Sequence, residues 1–150
     1  MKVAFACDHA GWSLRDRIIA ELSAGGFELV DCGPPAPQPG DDYPDVAAAV
    51  GRAVVSGRAE RGILVCGSGV GASIAASKLT GVRSALCHDS FSARQGVEDD
   101  DMNVISLGAR VIGPELAAEL VRDFLAARFS GAERHRRRLG KVGELERVRV

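Results

Sequence analysis

Ile63-Leu64-Val65-Cys66-Gly67-Ser68-Gly69-Val70-Gly71 is the stretch that decides the architecture. Ile63–Val65 reads as a short buried strand, and Cys66–Gly71 as the glycine-rich turn that leaves it. Glycines let a backbone turn sharply and approach a ligand closely. Ala72–Leu79 follows as a helix. A buried strand feeding a helix through a tight turn is the building unit of a parallel α/β sheet.

The same unit recurs on both sides. Upstream, Val3–Ala6 is a strand, and a helix near Ser13–Ala24 carries Leu14, Ile18, Ile19 and Leu22 at helical spacing. Gly25-Gly26 stops it, and Phe27–Val30 is the second strand. Pro34–Asp42 holds four of the six prolines and reads as a loop. Tyr43-Pro44 opens a helix with Val46, Val50 and Val54 on one face. Downstream come a strand at Ser84–Cys87, a helix at Ser90–Val97 and a strand at Val104–Leu107. Pro114 starts a helix with Leu116, Leu120 and Phe124, and a last helix spans Glu133–Arg147 with Leu139, Val142 and Leu145.

This pattern predicts an α/β, Rossmann-like three-layer sandwich over residues 1–150, a single domain. It has about five parallel strands, helices on both faces and an extra C-terminal helix. The last helix is charged on most sides and has little chain after it, which suits packing on another subunit.

Composition narrows the function classes. Hydrophobic residues make up 46% and charged residues 26%, a globular balance. A formal charge of −1 gives no bulk attraction to nucleic acid or membrane. Arg134, Arg136, Arg137 and Arg138 are a local exception. No apolar run approaches the roughly 20 residues of a membrane span. The N-terminus reaches Asp8 too early for a signal peptide, so a cytoplasmic protein is expected. Cys7, Cys32, Cys66 and Cys87 are then expected as free thiols, and they form no CxxC pair that would suggest zinc or redox chemistry.

In open parallel sheets, ligands bind beyond the carboxyl ends of the strands. Asp8 and His9, Cys66 and Ser68, and His88 and Asp89 all fall at such ends. Polar strand ends often do no more than meet water, but three of them converge here. The loop Gly67–Gly71 supplies backbone N–H groups at a helix start, a setting that suits an anion. Its G-x-G-x-G spacing departs from the G-x-G-x-x-G dinucleotide fingerprint, although Asp89 lies where a ribose-binding acid would be expected. A Walker loop needs Gly-Lys-Ser/Thr, but Ala72 follows Gly71. A cysteine-phosphatase loop needs Arg at that same position, so it fails as well.

Cys66 sits among donors that favour a negative sulfur, and a thiolate there could act as base or nucleophile. A buried, inert cysteine is the ordinary alternative. Arg134 and Arg138 share a helical face, which suits either phosphate or solvent.

Together these residues resemble the ribose-5-phosphate isomerase type B family, which also includes galactose-6-phosphate isomerase subunits. The resemblance covers nearly the whole chain. It is carried by Cys7-Asp8-His9-Ala10-Gly11, Asp42-Tyr43-Pro44, Ile63 to Gly71, Asn103-Val104, Gly108-Ala109-Arg110-Val111-Ile112-Gly113, and the arginines Arg134 and Arg138. It implies a homodimer or homotetramer with sites between subunits, acting on a small phosphorylated sugar. Cys66 would be the base moving one proton between C1 and C2, interconverting ribose 5-phosphate and ribulose 5-phosphate. Asp8, His9 and Tyr43 would lie near the sugar, and His9, Arg110, Arg134 and Arg138 near the phosphate. The amides of Gly67, Ser68, Gly69, Val70 and Gly71 would hold the enediolate, with Ser68 counted beside Cys66 in the catalytic group. Neither a metal nor an organic cofactor is implied.

One departure stands out. The family usually has a histidine, thought to open the sugar ring, where this chain has Asp99, and often an Asn where it has Asp100. An acidic run is ordinarily a solvated loop, with a metal site as the alternative. Three accounts of Asp99 stay open. A neighbouring acid could raise its pKa so that it donates a proton. His88 could serve as auxiliary acid. Or the substrate could need no opening, as with a tetrose 4-phosphate. Beside the pentose reading stand isomerisation of a tetrose or hexose phosphate and a non-catalytic sugar-phosphate or nucleotide-binding module.

Overall fold

The computed structural model describes residues 1–147. Five strands form its sheet: β1 (Lys2–Cys7), β2 (Glu28–Asp31), β3 (Arg61–Cys66), β4 (Ser84–Leu86) and β5 (Val104–Gly108). Six α-helices alternate with them: α1 (Arg15–Ala24), α2 (Tyr43–Val55), α3 (Val70–Ala76), α4 (Ser90–Asp100), α5 (Pro114–Ala126) and α6 (Glu133–Leu145). The strand order is β2-β1-β3-β5-β4, and every pairing is parallel. The sequence expectation of a five-stranded parallel sheet between helical layers is met.

Side chains alternate along each strand between the two faces. Val3, Phe5, Ile63, Val65 and Ile105 pack with helices α1, α4 and α5 through Ile18, Leu22, Val97, Leu120 and Phe124. Ala4, Ala6, Leu64 and Cys66 face α2 and α3 through Val46, Val50, Ala72 and Ala76. Phe5 and Phe124 are fully buried. Removing each from water contributes about 1.5–3 kcal/mol. Gly62 lets α2 lie close, since a Cβ there would stand 2.5 Å from Val50 Cγ1.

The chain leaves β1 for β2 through α1 on one face, and β3 for β4 through α3 on the other. Those connections diverge between the carboxyl ends of β1 and β3. That crevice is where open α/β sheets hold ligands.

Several boundaries differ from the sequence reading. The first helix is preceded by a 3-10 turn at His9–Leu14, because Asp8 Oδ1 caps the Gly11 N–H at 2.9 Å. Helix α3 begins at Val70 and ends at Ala76, leaving Leu79 in the following turn. Among the described residues, no helix is long and apolar enough to cross a membrane.

Candidate active site

Cys66 closes β3 and is only 4% exposed. The Gly69 N–H donates to its Sγ at 3.0 Å, a contact that complements negative charge on sulfur. The turn that returns this amide needs glycine. Gly69 has φ +81°, and a Cβ there would meet Leu86 Cδ1 at 2.5 Å and Leu107 C at 2.9 Å. Strand β5 clasps the loop from one side. Ala109 N–H donates to Cys66 O and Arg110 N–H to Gly67 O, both at 2.9 Å. Gly108 is pressed so closely that an added Cβ would stand 2.4 Å from Ser68 O. Ser68 is exposed, and its Oγ accepts from Val70 N–H at 3.3 Å.

Other candidates gather around this loop. A Cβ on Gly67 would lie 3.4 Å from Arg110 Cζ, so the guanidinium overhangs the loop. A Cβ on Gly71 would meet the Tyr43 ring at 2.7 Å, so that ring rests on the loop's last glycine. Asp8 is buried, and its N–H donates to Val65 O at 3.2 Å, joining the ends of β1 and β3. His9 follows it. The His9 backbone N–H and Nδ1 both reach Asp41 Oδ1, at 3.1 and 2.5 Å, which fixes the ring and leaves Nε2 as its other polar atom. Asp41 Oδ2 is buried without a partner among the described residues.

His88 stands at the end of β4 with its Nε2 accepting the Gly108 N–H at 2.9 Å. That bond assigns the proton to Nδ1 and engages the other nitrogen. Asp89 caps α4 by accepting Ser92 N–H at 2.7 Å, and this bond lowers its pKa. Its carboxylate serves the helix start, so it lends the dinucleotide reading no support.

The remaining candidates lie elsewhere in the chain. Asp99 and Asp100 end α4, which starts at the carboxyl edge of the sheet and runs back along it. Asp101 then precedes β5, whose far end Gly108 pairs with Cys66. Five strand residues put about 13 Å between those two edges. Arg134 and Arg138 are on α6, which packs on α4. One chain therefore assembles Cys66, the Gly67–Gly71 loop, Asp8, His9, Tyr43 and Arg110, but not Asp99, Asp100, Arg134 or Arg138. A groove of about 490 Å³ lies beside that second group, lined by Asp100, Met102, Leu139 and Val142 among others, away from the thiol. Among the described residues, no group of three or more His, Cys, Asp or Glu side chains could hold a metal ion.

Two residues at these places escaped the sequence reading. Asp41 lies inside the stretch that reads as a proline-rich loop, directly before Asp42-Tyr43-Pro44. His135 is buried on α6 and was hidden among arginines. Its spacing to Leu139 and Val142 puts it on the helix's apolar stripe, a signal the sequence does carry.

An open parallel α/β sheet with a thiol inside an amide-lined turn, flanked by His and Arg at its switch point, defines an enzyme class suited to proton transfer on an anionic substrate. The chain belongs to the Ribose/Galactose Isomerase family, whose pattern matches residues 3–142. It is 40% identical over 148 residues to ribose-5-phosphate isomerase B of Escherichia coli, covering 99% of this chain and 98% of that one. It is also 40% identical over 131 residues to D-erythrulose-4-phosphate isomerase of Pectobacterium atrosepticum, covering 87% and 86%. Ribose-5-phosphate isomerase B of Clostridium thermocellum superposes with a TM-score of 0.93 at 43% identity, covering 97% of both chains.

Proposed function

We propose that this chain is a sugar-phosphate aldose–ketose isomerase that interconverts ribose 5-phosphate and ribulose 5-phosphate, with Cys66 as the base. The observation that carries the reading is the contact between Cys66 Sγ and Gly69 N–H, inside the loop that Arg110 and Tyr43 cover. Family membership and the named activity of the relatives support it. The thiolate takes the proton from C2 of the aldose, electrons move onto the C1 oxygen, and an enediolate forms. The O2 hydroxyl proton passes to O1 and the thiol returns a proton to C1, leaving the carbonyl on C2 and a hydroxyl on C1. Loop amides stabilise the oxyanion, a role in which one donor is worth about 3 kcal/mol. No metal enters this scheme.

Asp8, His9, Tyr43 and Arg110 hold the sugar and its phosphate. The phosphate end is completed by Arg134 and Arg138 of a second copy, with that copy's Asp99 and Asp100 towards the sugar, in a homodimer or homotetramer. Two observations support that arrangement. The second group stands at the opposite edge of its own sheet, and Ile74, Leu86, Phe91 and Leu145 are exposed apolar side chains that a second copy would cover. We read residues 1–150 as one domain. The four free cysteines fit the reducing cytoplasm.

A tetrose 4-phosphate is the second reading, favoured by Asp99. Its Oδ2 accepts from Gln95 Nε2 at 2.6 Å and its Oδ1 lies 3.3 Å from His135 Nδ1, so it is engaged as an acceptor. An acyclic tetrose needs no ring-opening acid. Incubation of tetrose, pentose and hexose phosphates in heavy water with EDTA tests both readings. Ribose 5-phosphate should give ribulose 5-phosphate with solvent deuterium at C1. Faster turnover of the tetrose would favour the second reading, and no conversion of any aldose phosphate would leave a binding module.

A further inference from the structure

His135 is 3% exposed and belongs to none of the groups assigned above. Its two ring nitrogens are both engaged. Nδ1 lies 2.7 Å from Ser130 Oγ and 3.3 Å from Asp99 Oδ1, and Nε2 accepts the Nε–H of Arg134 at 3.0 Å. Arg134 Nε is always protonated, so Nε2 must offer a lone pair, and the ring proton sits on Nδ1. That proton goes to the Ser130 hydroxyl, and the Asp99 carboxylate lies beside it as a negative neighbour. Asp99 is itself held by Gln95 Nε2 at 2.6 Å. The segment is pinned to α4 by Ser130 N–H donating to Glu98 O at 2.9 Å. A Ser-His-Asp catalytic arrangement is excluded, because Ser130 and Asp99 meet the same nitrogen rather than opposite ones.

We propose that Asp99 and His135 form a positioning relay for Arg134. The Ser130 hydroxyl, with the Asp99 carboxylate beside it, favours the Nδ1–H tautomer of His135, and the bare Nε2 then holds Arg134 by Nε. The exposed Nη end of Arg134 is thereby pre-set for the phosphate group of a sugar phosphate. Asp99 in this chain acts through another residue and donates no proton to substrate. This inference rests on the assignment of Arg134 to the phosphate made under the proposed function.

Steady-state kinetics with ribose 5-phosphate test it on four variants of the full chain. Arg134→Ala first checks the assignment, and KM should rise with kcat held. His135→Leu and Asp99→Ala should each raise KM about tenfold, the scale of one hydrogen bond to a charged group, with kcat within about twofold. His135→Gln, whose amide oxygen can accept from Arg134, should recover most of the loss. Inhibition by inorganic phosphate should weaken in step with KM. An unchanged KM in Arg134→Ala sinks the phosphate assignment and the relay with it. A raised KM there, beside a normal KM in His135→Leu, overturns the relay alone. A fall in kcat for Asp99→Ala would make Asp99 a proton donor instead. Nitrogen-15 spectra of the unmodified protein need no folded variant. They should show His135 protonated at Nδ1, and a proton at Nε2 would contradict the relay.

Discussion

Cys7 and Cys66 end neighbouring parallel strands and are both nearly sealed from solvent, yet their surroundings differ. Cys7 is 1% exposed, and burial pushes its thiol up to about 12, with Asp8 adding a smaller push and Arg15 opposing it. Cys66 receives the Gly69 N–H at 3.0 Å. The chain that follows each strand makes the difference. After β1 comes Asp8, whose carboxylate adds negative charge and caps a 3-10 turn. After β3 comes a glycine turn that folds its own amide back onto the sulfur. A thiol becomes a candidate base through the backbone that follows it.

The widest gap between the two should appear on truncation. Cys66→Ala is expected to lower kcat for ribose 5-phosphate by about 10³-fold, within the range of a lost general base. Cys7→Ala should leave kcat near its starting value and lower the melting temperature, as loss of a packed core atom does. Equal losses in both variants would erase the distinction.

Next in size is the turn itself. Gly69→Ala imposes a side chain at φ +81° and within 2.5 Å of Leu86 Cδ1. It should cost about 2 kcal/mol or more in denaturant unfolding, with activity falling beyond what stability explains. Gly26→Ala, at φ +70° with nothing within 4 Å of its Cβ, is the control: it carries the backbone strain without the clash and should keep activity.

A smaller effect is expected at Asp41, which fixes His9 by two bonds. Asp41→Ala should raise KM about tenfold, read from initial rates at varied substrate. An unchanged KM would remove His9 from the phosphate end.

The smallest effect is a pH dependence of stability carried by Cys7. Burial pushes the folded Cys7 thiol up to about 12, against 9.0 when unperturbed. Its raised value means the folded state keeps the proton while the unfolded chain loses it. Stability from this group is full below 9.0 and is lost as pH rises toward about 12. Cys87, raised to about 11 by burial, acts in the same direction. Cys7→Val should flatten that alkaline decline in urea midpoints, and an unaltered slope would contradict the assignment.

Much of the fold was legible because the decisive features are local. Ile63–Gly71 carries strand, turn and helix start within nine residues. The proline-rich loop and the Pro114 helix start are likewise written in consecutive residues. Half of the site was legible for the same reason, since strand ends are sequence-local. Asp41 is held to His9 across 32 residues, a pairing no period or spacing announces. Asp99 and Arg134 were legible as polar residues, but their joint dependence on His135 arises only where α4 packs on α6.

The central claim is that Cys66 takes the proton from C2. Exchange of that proton with solvent, followed by NMR on ribose 5-phosphate held in heavy water, measures it directly. The account predicts exchange with the unmodified protein and a fall of about 10³-fold in Cys66→Ala, while ligand binding persists. Exchange at the unmodified rate in Cys66→Ala would contradict it.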